Sequence, residues 1–595
     1  MNPRKTPVFG LGSATLFSIS PSVIMRRKSI LLIIAIVVMT YAVSLLNDFV
    51  GDDHMLFVQS DFFKSWNHFP EVFKPTAVTN VNDLFFGYDG QVRSGVVSYR
   101  PVVMAMYFLE YQIWRSNPFG YHLNNLFIHI VNAVLIFIVI FNIVKNRRTA
   151  LLGALLFGVH PINAEAVCNI GRADILACFF GLISFLCFIE YTEFRGPRRA
   201  AVLSVSLASF FLAVFTKESA IVWPAIMIAY DFFIKEKSGR TFGEDFKSRY
   251  PGFVLILIFY LYVYFFIFPN PALQRMTFFG GDLLTHLVTM LKITKDYAIA
   301  FLWPFSVSIL PPMYTPPVHP LWSHENIWSF CFLLLCFLVG AKIFTRSKIL
   351  AFAISWLVLA FLPVANIIPL ANPIAYRFMY LPSIGFAMMS TVLMEQSFLM
   401  SRHPDFKTIF TRGLMGICVI LTIFLNSSWR NNYTMATTIL KNCPDSTKAY
   451  QMLAFYFQEK KMYPRAREQL RKALALEPNN PVFYHDLGAL YVDDPQKAID
   501  HFKKAIEIYP GYKRAYTDLC RAYANKEDYT MAMVCFEETM ADGDLGIGTY
   551  VDYIRLCLLA QEREKAKAVY SQALARYPNH GELLDMEQLL HGGKP

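Results

Sequence analysis

The sequence predicts an all-α protein in two parts: a polytopic membrane helix bundle of about eleven spans, then a soluble α-solenoid of helical hairpins. Three observations predict it. Of the 595 residues, 55% are hydrophobic and only 17% charged, with a mean hydropathy of +0.37; a soluble protein carries roughly 25% charged residues. Nearly all of that apolar excess precedes Leu425, in runs long enough to enter a bilayer, whereas from Lys441 onward the chain is charged and alternating. That charged tail, finally, repeats itself.

The net charge of +11 reports topology and not a nucleic-acid partner. Short basic clusters separate the apolar runs: Arg26-Arg27-Lys28, Lys145 with Arg147-Arg148, Arg195 with Arg198-Arg199, Lys235 with Lys237 and Arg240, and Lys342 with Arg346 and Lys348. This is the pattern of cytoplasmic loops. Residues 1–28 are therefore a cytoplasmic tail, and the run 30–46 is an uncleaved anchor, because no small-residue cleavage site follows it. Residues 51–121 form a long loop on the far side. Spans follow at 123–144, 150–159, 175–191, 201–215, 219–234 and 253–268, then at 327–344, 349–365, 378–394 and 414–425. The amphipathic stretch 283–303 is placed on the far face, lying on or dipping into the bilayer, since a full crossing would put the basic loop 342–348 on the wrong side. An odd number of crossings leaves the termini on opposite sides. The membrane domain is read as 29–430 and the soluble domain, extracytoplasmic, as 441–595.

In the tail, Ala466, Ala498, Ala532 and Ala566 recur at steps of 32, 34 and 34 residues, each followed four residues on by Leu470, Phe502, Phe536 or Tyr570. Ala473, Ala505 and Ala573 stand at seven, and Pro478, Pro510 and Pro578 at twelve. This is the tetratricopeptide period. Tyr450, Tyr484, Tyr516 and Tyr550 hold the aromatic position of each first helix; Gly488 takes its small-residue slot, from which Cys520 and Ile554 depart. Such arrays present a groove for an extended peptide or protein, so this part is expected to bind rather than catalyse. The ten cysteines show no metal-ligand spacing. Cys178, Cys187, Cys331 and Cys336 sit in apolar runs as small hydrophobes. Cys443, Cys520, Cys535 and Cys557 could pair in an oxidising compartment.

Candidate chemistry gathers on the far face. Asp52, Asp53 and His54 directly follow the first span, and carboxylates at a bilayer surface are costly to keep there without a use. One could act as general base on an acceptor hydroxyl; the same residues could equally open an ordinary polar loop, and a divalent-metal reading lacks a spacing signature. His160, Glu165, Arg172 and Asp174 crowd the turn 160–174, where Arg172 and Asp174 could merely neutralise one another. Lys217 and Glu218 share that face and could be a structural couple, and Arg377 adds a further cation. Cations on a non-cytoplasmic face run against the positive-inside trend. A phosphate-bearing ligand would explain them, since arginine offers paired donors to phosphate and lysine a point charge. A carboxylate base plus cations for a phosphate leaving group is the minimal kit for glycosyl transfer from a lipid phosphate.

Taken in chain order, the motifs Asp48-Phe49-Val50-Gly51-Asp52-Asp53, Ser98-Tyr99-Arg100-Pro101, Gly120-Tyr121-His122-Leu123-Asn124-Asn125, Val159-His160-Pro161-Ile162-Asn163-Ala164-Glu165-Ala166-Val167, Gly171-Arg172-Ala173-Asp174, Thr216-Lys217-Glu218 and Tyr376-Arg377-Phe378-Met379-Tyr380-Leu381-Pro382-Ser383 resemble those of the multi-span O-mannosyltransferases with C-terminal tetratricopeptide repeats. The resemblance implies a C-type glycosyltransferase (GT-C) fold, inversion at the anomeric carbon, and a polyprenyl-phosphate sugar donor, often of mannose. On matching positions it makes Asp52 or Asp53 the base, Arg172, Lys217 and Arg377 phosphate or donor contacts, and His160 and Glu165 pocket residues. His54, Arg100, His122, Asp174, Glu218 and Tyr380 are further pocket candidates. Two departures stand out: Ala375-Tyr376 precede Arg377 where the family has Glu beside Arg, and the repeat array is short. The expected partners are the lipid-linked donor, a protein or peptide acceptor held by the repeats, and membrane lipid, with no nucleic acid; no cofactor is certain, and a divalent metal is left open. The expected location is a bacterial inner membrane or the endoplasmic reticulum. The runner-up function is a non-catalytic, membrane-anchored repeat scaffold for assembly of envelope proteins. A transporter ranks last, because the ionisable residues cluster at one face and not at mid-bilayer depth.

Overall fold

The computed structural model describes residues 21–51, 53–59, 62–74, 99–191, 196–235, 242–268, 278–309, 320–370, 374–397, 402–541, 547–577 and 581–590, and among these there are helices and turns but no strand. Asp52, Ser98, Arg195, Lys237, Arg240 and Pro578 lie outside the described residues.

Helix ends follow local chemistry. α1 (Pro21–Tyr41) runs into a 3-10 turn, Ala42–Leu46. α2 (Pro101–Trp114) and α3 (Pro118–Val144) both open on proline, and the Asn117 side chain caps α3 by accepting the Phe119 N–H at 3.1 Å. Asn146 caps α4 (Arg147–Val159) in the same way. His160-Pro161 then breaks the chain, which bends by 50° before resuming as α5 (Ala164–Cys168). There follow α6 (Ala173–Glu190), α7 (Pro197–Thr216), α8 (Trp223–Phe233), α9 (Phe242–Arg249), α10 (Pro251–Tyr262), α11 (Leu283–Leu302), α12 (His324–Phe344), α13 (Lys348–Phe361), α14 (Pro382–Gln396) and α15 (Pro404–Ser428).

Among the described residues six helices are long and apolar enough to cross a membrane, seven if the bent α4–α5 pair is one span. The expectation of about eleven is not confirmed by helix length and composition. α8 and α14 have 11 and 15 residues, and 251–267 and 348–364 are shorter apolar helices. At about 1.5 Å per residue these fall short of a hydrocarbon core of about 30 Å. Helices pack closely where a side chain is missing: a Cβ on Gly385 would lie 2.6 Å from the Leu357 backbone nitrogen, so α13 and α14 touch backbone to backbone. Polar side chains tie the same bundle internally. His129 bonds the Tyr380 hydroxyl through Nδ1 (2.7 Å) and the Gly158 carbonyl through Nε2 (3.0 Å), and Asn132 donates to Tyr380 and to the Ile175 carbonyl. In an apolar surrounding such groups must find partners inside the protein.

α11 packs on α12 and is tied to the turns of one face. His286 Nε2 lies 2.7 Å from the Asn366 carbonyl, the Tyr297 hydroxyl exchanges hydrogen bonds with the Ala375 backbone at 2.9 and 3.1 Å, and the Phe301 carbonyl meets His160 Nε2 at 3.3 Å. These contacts hold α11 against the turns that carry His160, Asn366 and Ala375. The same face carries the repeats.

These begin after α16 (Asn432–Asn442). Four antiparallel pairs follow: α17 (Thr447–Glu459) with α18 (Tyr463–Leu476), α19 (Pro481–Ala489) with α20 (Pro495–Ile508), α21 (Lys513–Asn525) with α22 (Tyr529–Ala541), and α23 (Ile547–Leu559) with α24 (Arg563–Arg576). α25 (Gly581–Leu590) closes the array. The recurring Ala466, Ala498, Ala532 and Ala566 are all buried in second helices. A Cβ on Gly488 would stand 2.7 Å from the Phe502 ring, which is why that slot takes a small residue. In the next repeat the slot holds Cys520, joined by a disulfide to Cys535 of α22. These are tetratricopeptide repeats.

Candidate active site

Asp53 sits half-buried in the turn after the first span. Its carboxylate accepts the Val50 N–H at 3.4 Å, and its own N–H points back to the Val50 carbonyl. Its charge is felt at Tyr107 of α2, beside which Arg172, Glu110 and Arg100 also lie. An aromatic floor supports this turn: Phe49, Phe57, Phe63, Tyr107 and Tyr121 form one buried cluster. His54 points away from it, toward the Glu459 carboxylate of α17 at 3.5 Å.

Every cation predicted on this face has a carboxylate partner, and the partners differ from those the sequence suggests. Arg172 does not pair with Asp174. It is fully buried (0% exposed), bonds Glu110 of α2, and lies over the Tyr107 and Tyr121 rings at 5.2 and 6.0 Å. Its backbone is in the sparsely populated region at φ +25°, starting α6 in a strained turn. Lys217 does not pair with Glu218: its ammonium reaches Asp174 at 2.5 Å and lies 4.9 Å from the centre of the Phe378 ring. Glu218 instead receives Arg100 through two parallel bonds, at 2.7 and 3.2 Å. Arg377 bonds Glu165, whose other oxygen accepts the Tyr376 N–H at 2.8 Å. The cations are thus not isolated, and the charges balance in pairs.

Accessibility separates these pairs. Arg100 and Arg377 keep 30% and 26% of their side chains exposed, whereas Lys217 keeps 5%. A ligand can reach the first two without breaking their pairs. A small cleft adjoins the Lys217–Asp174 pair, lined by Asp174, Cys178, Ser219, Trp223, Phe378 and Leu381. Its lining mixes polar and apolar side chains.

The remaining predicted residues are buried. His160 is buried, with Nε2 on the Phe301 carbonyl and Nδ1 accepting the Ile162 N–H at 3.2 Å, so both ring nitrogens are engaged. Tyr380 is buried against His129 and Asn132 inside the bundle. His122 is buried beside the Asp48 backbone. Sequence reasoning missed Glu110, the partner of Arg172, and His129; the available signal for Glu110 was a single acid in the otherwise apolar α2. Among the described residues no group of three or more His, Cys, Asp or Glu side chains could hold a metal ion.

Fold and site together define a polytopic helical membrane protein whose paired charges gather on one face with a tetratricopeptide array. Over most of its length the chain is similar to proteins named protein O-mannosyl-transferase. Against human TMTC3 it is 24% identical over 621 residues, covering 93% of this chain and 65% of that protein. Against Drosophila melanogaster Tmtc3 it is 23% identical over 605 residues, covering 86% of this chain and 61% of that protein. The chain thus spans a little less than two thirds of the length of these relatives. No family model matches it. Among solved structures, the repeat protein YrrB, described as having an unusual peptide-binding site, is 18% identical with a TM-score of 0.23, covering 32% of this chain and 96% of that one. At that score the likeness does not bear on the fold, which rests on the helix pairing above.

Proposed function

We propose that the chain is an integral-membrane glycosyltransferase that moves a hexose, mannose by resemblance, from a polyprenyl-phosphate donor to hydroxyls of proteins on the repeat side of the membrane. The observation that carries this reading is that the Asp53 turn and the part-exposed Arg100 both lie around Tyr107, with Arg377 a second part-exposed cation in the paired-charge cluster. In the proposed reaction Asp52 or Asp53 takes the proton of a serine or threonine hydroxyl as that oxygen attacks the anomeric carbon. The carbon–oxygen bond to phosphate breaks, the polyprenyl phosphate leaves with the electron pair, and the configuration inverts. Arg377 and Arg100 stabilise the charge that builds on the departing phosphate oxygen. Lys217 lends its charge from within its pair, and Arg172 holds α2 and α6 in place. The repeats hold the acceptor segment.

The test compares cells with and without the chain by mass spectrometry of proteins from the repeat-side compartment, looking for a lost hexose. Asp52→Asn and Asp53→Asn variants, checked for insertion, are expected to reproduce the loss singly or together. If both variants keep wild-type transfer, the doublet is not the base. If deleting the repeats removes all function while neutralising Arg100 and Arg377 changes nothing, the scaffold reading replaces this one.

A further inference from the structure

The turn that carries Asp53 is held by the end of α15 and by the helices that start the repeats. Asn47 Nδ2 donates to the Asn426 carbonyl at 3.4 Å and the Asp48 N–H to the Arg430 carbonyl at 2.8 Å, both at the end of α15. Gly51 donates its N–H to Asn432 Oδ1 at 2.9 Å, and the His54 ring stands 3.5 Å from the Glu459 carboxylate. Gly51 has φ +63°, a conformation natural to glycine, which lets the turn before the acids aim its amide at Asn432 Oδ1. Asn432 is buried and opens α16, which packs on α17, while Glu459 is the last residue of α17. The two side chains that grip the turn thus belong to the helices that start the array.

We infer that Asn432 and Glu459 are positioning residues for the acidic turn, coupling the first repeat to the base. The inference rests on the reading of the aspartate doublet as the base. Two polar contacts, one on each side of the doublet, link the array to the turn: Asn432 to Gly51 and Glu459 to His54. A shift of the first repeat therefore moves the carboxylate relative to the cations on the bundle, which are held by their own pairs. An error of about 1 Å in a reacting group costs on the order of 100-fold in rate. The array accordingly does more than raise the local concentration of acceptor: its first helices set the geometry in which the hydroxyl loses its proton.

The test uses the full chain in vesicles, with radiolabelled polyprenyl-phosphate mannose as donor and secretory protein from cells lacking the chain as acceptor pool. Hydrogen exchange of the peptide 47–59 is followed in parallel. Asn432→Leu is expected to lower the rate at saturating donor by roughly 10- to 100-fold with donor KM unchanged, and to speed exchange at Gly51 while leaving the bundle helices protected. Asn432→Asp keeps an acceptor oxygen and is expected to restore both; Glu459→Ala should act in the same direction as Asn432→Leu. Wild-type rate in Asn432→Leu, unchanged exchange at 47–59, or a defect confined to donor KM would overturn the inference. Transfer that survives both aspartate variants would sink the proposed base instead, while the exchange data would still report whether the clamp exists.

Discussion

The charged residues of the repeat-side face divide by burial, and burial decides what each substitution should do. Arg172 and Glu110 are both almost fully enclosed, at 0% and 4% exposed. Removing one partner strands the other in a dry site, a change that costs about 3–5 kcal/mol. Glu110→Ala is therefore expected to lower the thermal midpoint sharply and to reduce yield in the membrane, whatever its effect on transfer. Arg377→Ala removes a guanidinium that is about a quarter exposed and should cost less than about 1 kcal/mol while depressing transfer. Comparing the two by melting and by activity separates scaffold from ligand contact. A large stability loss in Arg377→Ala with unimpaired transfer would reverse their assigned roles. The sequence made the cations legible but not their partners. Neighbours such as Arg172 and Asp174, or Lys217 and Glu218, lie at the junctions of helices, where adjacent side chains diverge into different packing layers, so the carboxylates that reach Arg172 and Lys217 come from α2 and from across α6. Nothing in a local motif carries that information.

At the scale of elements, both halves are held by specific contacts between helices. In the repeats a polar ladder crosses the first helices: Gln451 to Asp486, His485 to Asp518 at 2.7 Å, and Arg521 to Asp552 at 2.6 Å. Burial pulls the His485 pKa down, but its bonds to Asp486 and Asp518 outweigh it and leave the imidazole raised. Burial pushes Asp518 up, and the same histidine with Arg521 and Arg514 brings it down to about 2. A histidine with a raised folded pKa stabilises the array below its unfolded value of about 6.5 and loses that contribution as pH rises through the folded value. An aspartate with a depressed pKa stabilises above about 3.9 and loses its contribution as pH falls toward 2. The His485–Asp518 link should thus be strongest between these limits, and the unfolding midpoint of the repeats should fall as pH rises from 6 to 9. His485→Gln should flatten that alkaline slope; an unchanged slope would show that the link contributes nothing. In the bundle, Gly385→Ala would drive a methyl against the α13 backbone, and a forced separation of this kind costs roughly 1–3 kcal/mol, measurable as a lower melting midpoint in detergent. The repeat period was legible because each hairpin repeats the same alanine and aromatic positions. The short bundle helices were legible as apolar runs, but their lengths were not, since apolar composition continues through the turns that end them.

For the whole molecule, sidedness can be argued without settling how many helices cross. The Asn426 side chain near the end of α15 donates to the Thr40 carbonyl near the end of α1 at 3.1 Å, so these two helices run parallel and emerge together. At the other end Arg147, just after α3, donates to Ser29 at the start of α1 at 2.8 Å. The turn between α3 and α4 therefore lies with the N-terminal end of α1, and the repeats lie at the opposite end of the bundle. Basic residues gather at that first end, with Arg27, Lys28, Lys145, Arg147 and Arg148, so the positive-inside trend predicts that it faces the cytoplasm. Two single cysteines at the ends of α3, Ser116→Cys and Lys145→Cys, read this directly in a background with Cys331 and Cys443 replaced by serine. A membrane-impermeant maleimide applied to intact cells, or to sealed vesicles of known sidedness, is expected to label Ser116→Cys from the compartment that holds the repeats. Lys145→Cys should react only once the membrane is opened. Cys520 and Cys535 should resist alkylation until reduced, because their disulfide requires an oxidising compartment to persist. Labelling of both positions from the same side would mean that α3 does not cross. Reversed labelling would place the acidic turn, the paired arginines and the array in the cytosol, where neither the disulfide nor transfer to proteins of the secretory route could stand.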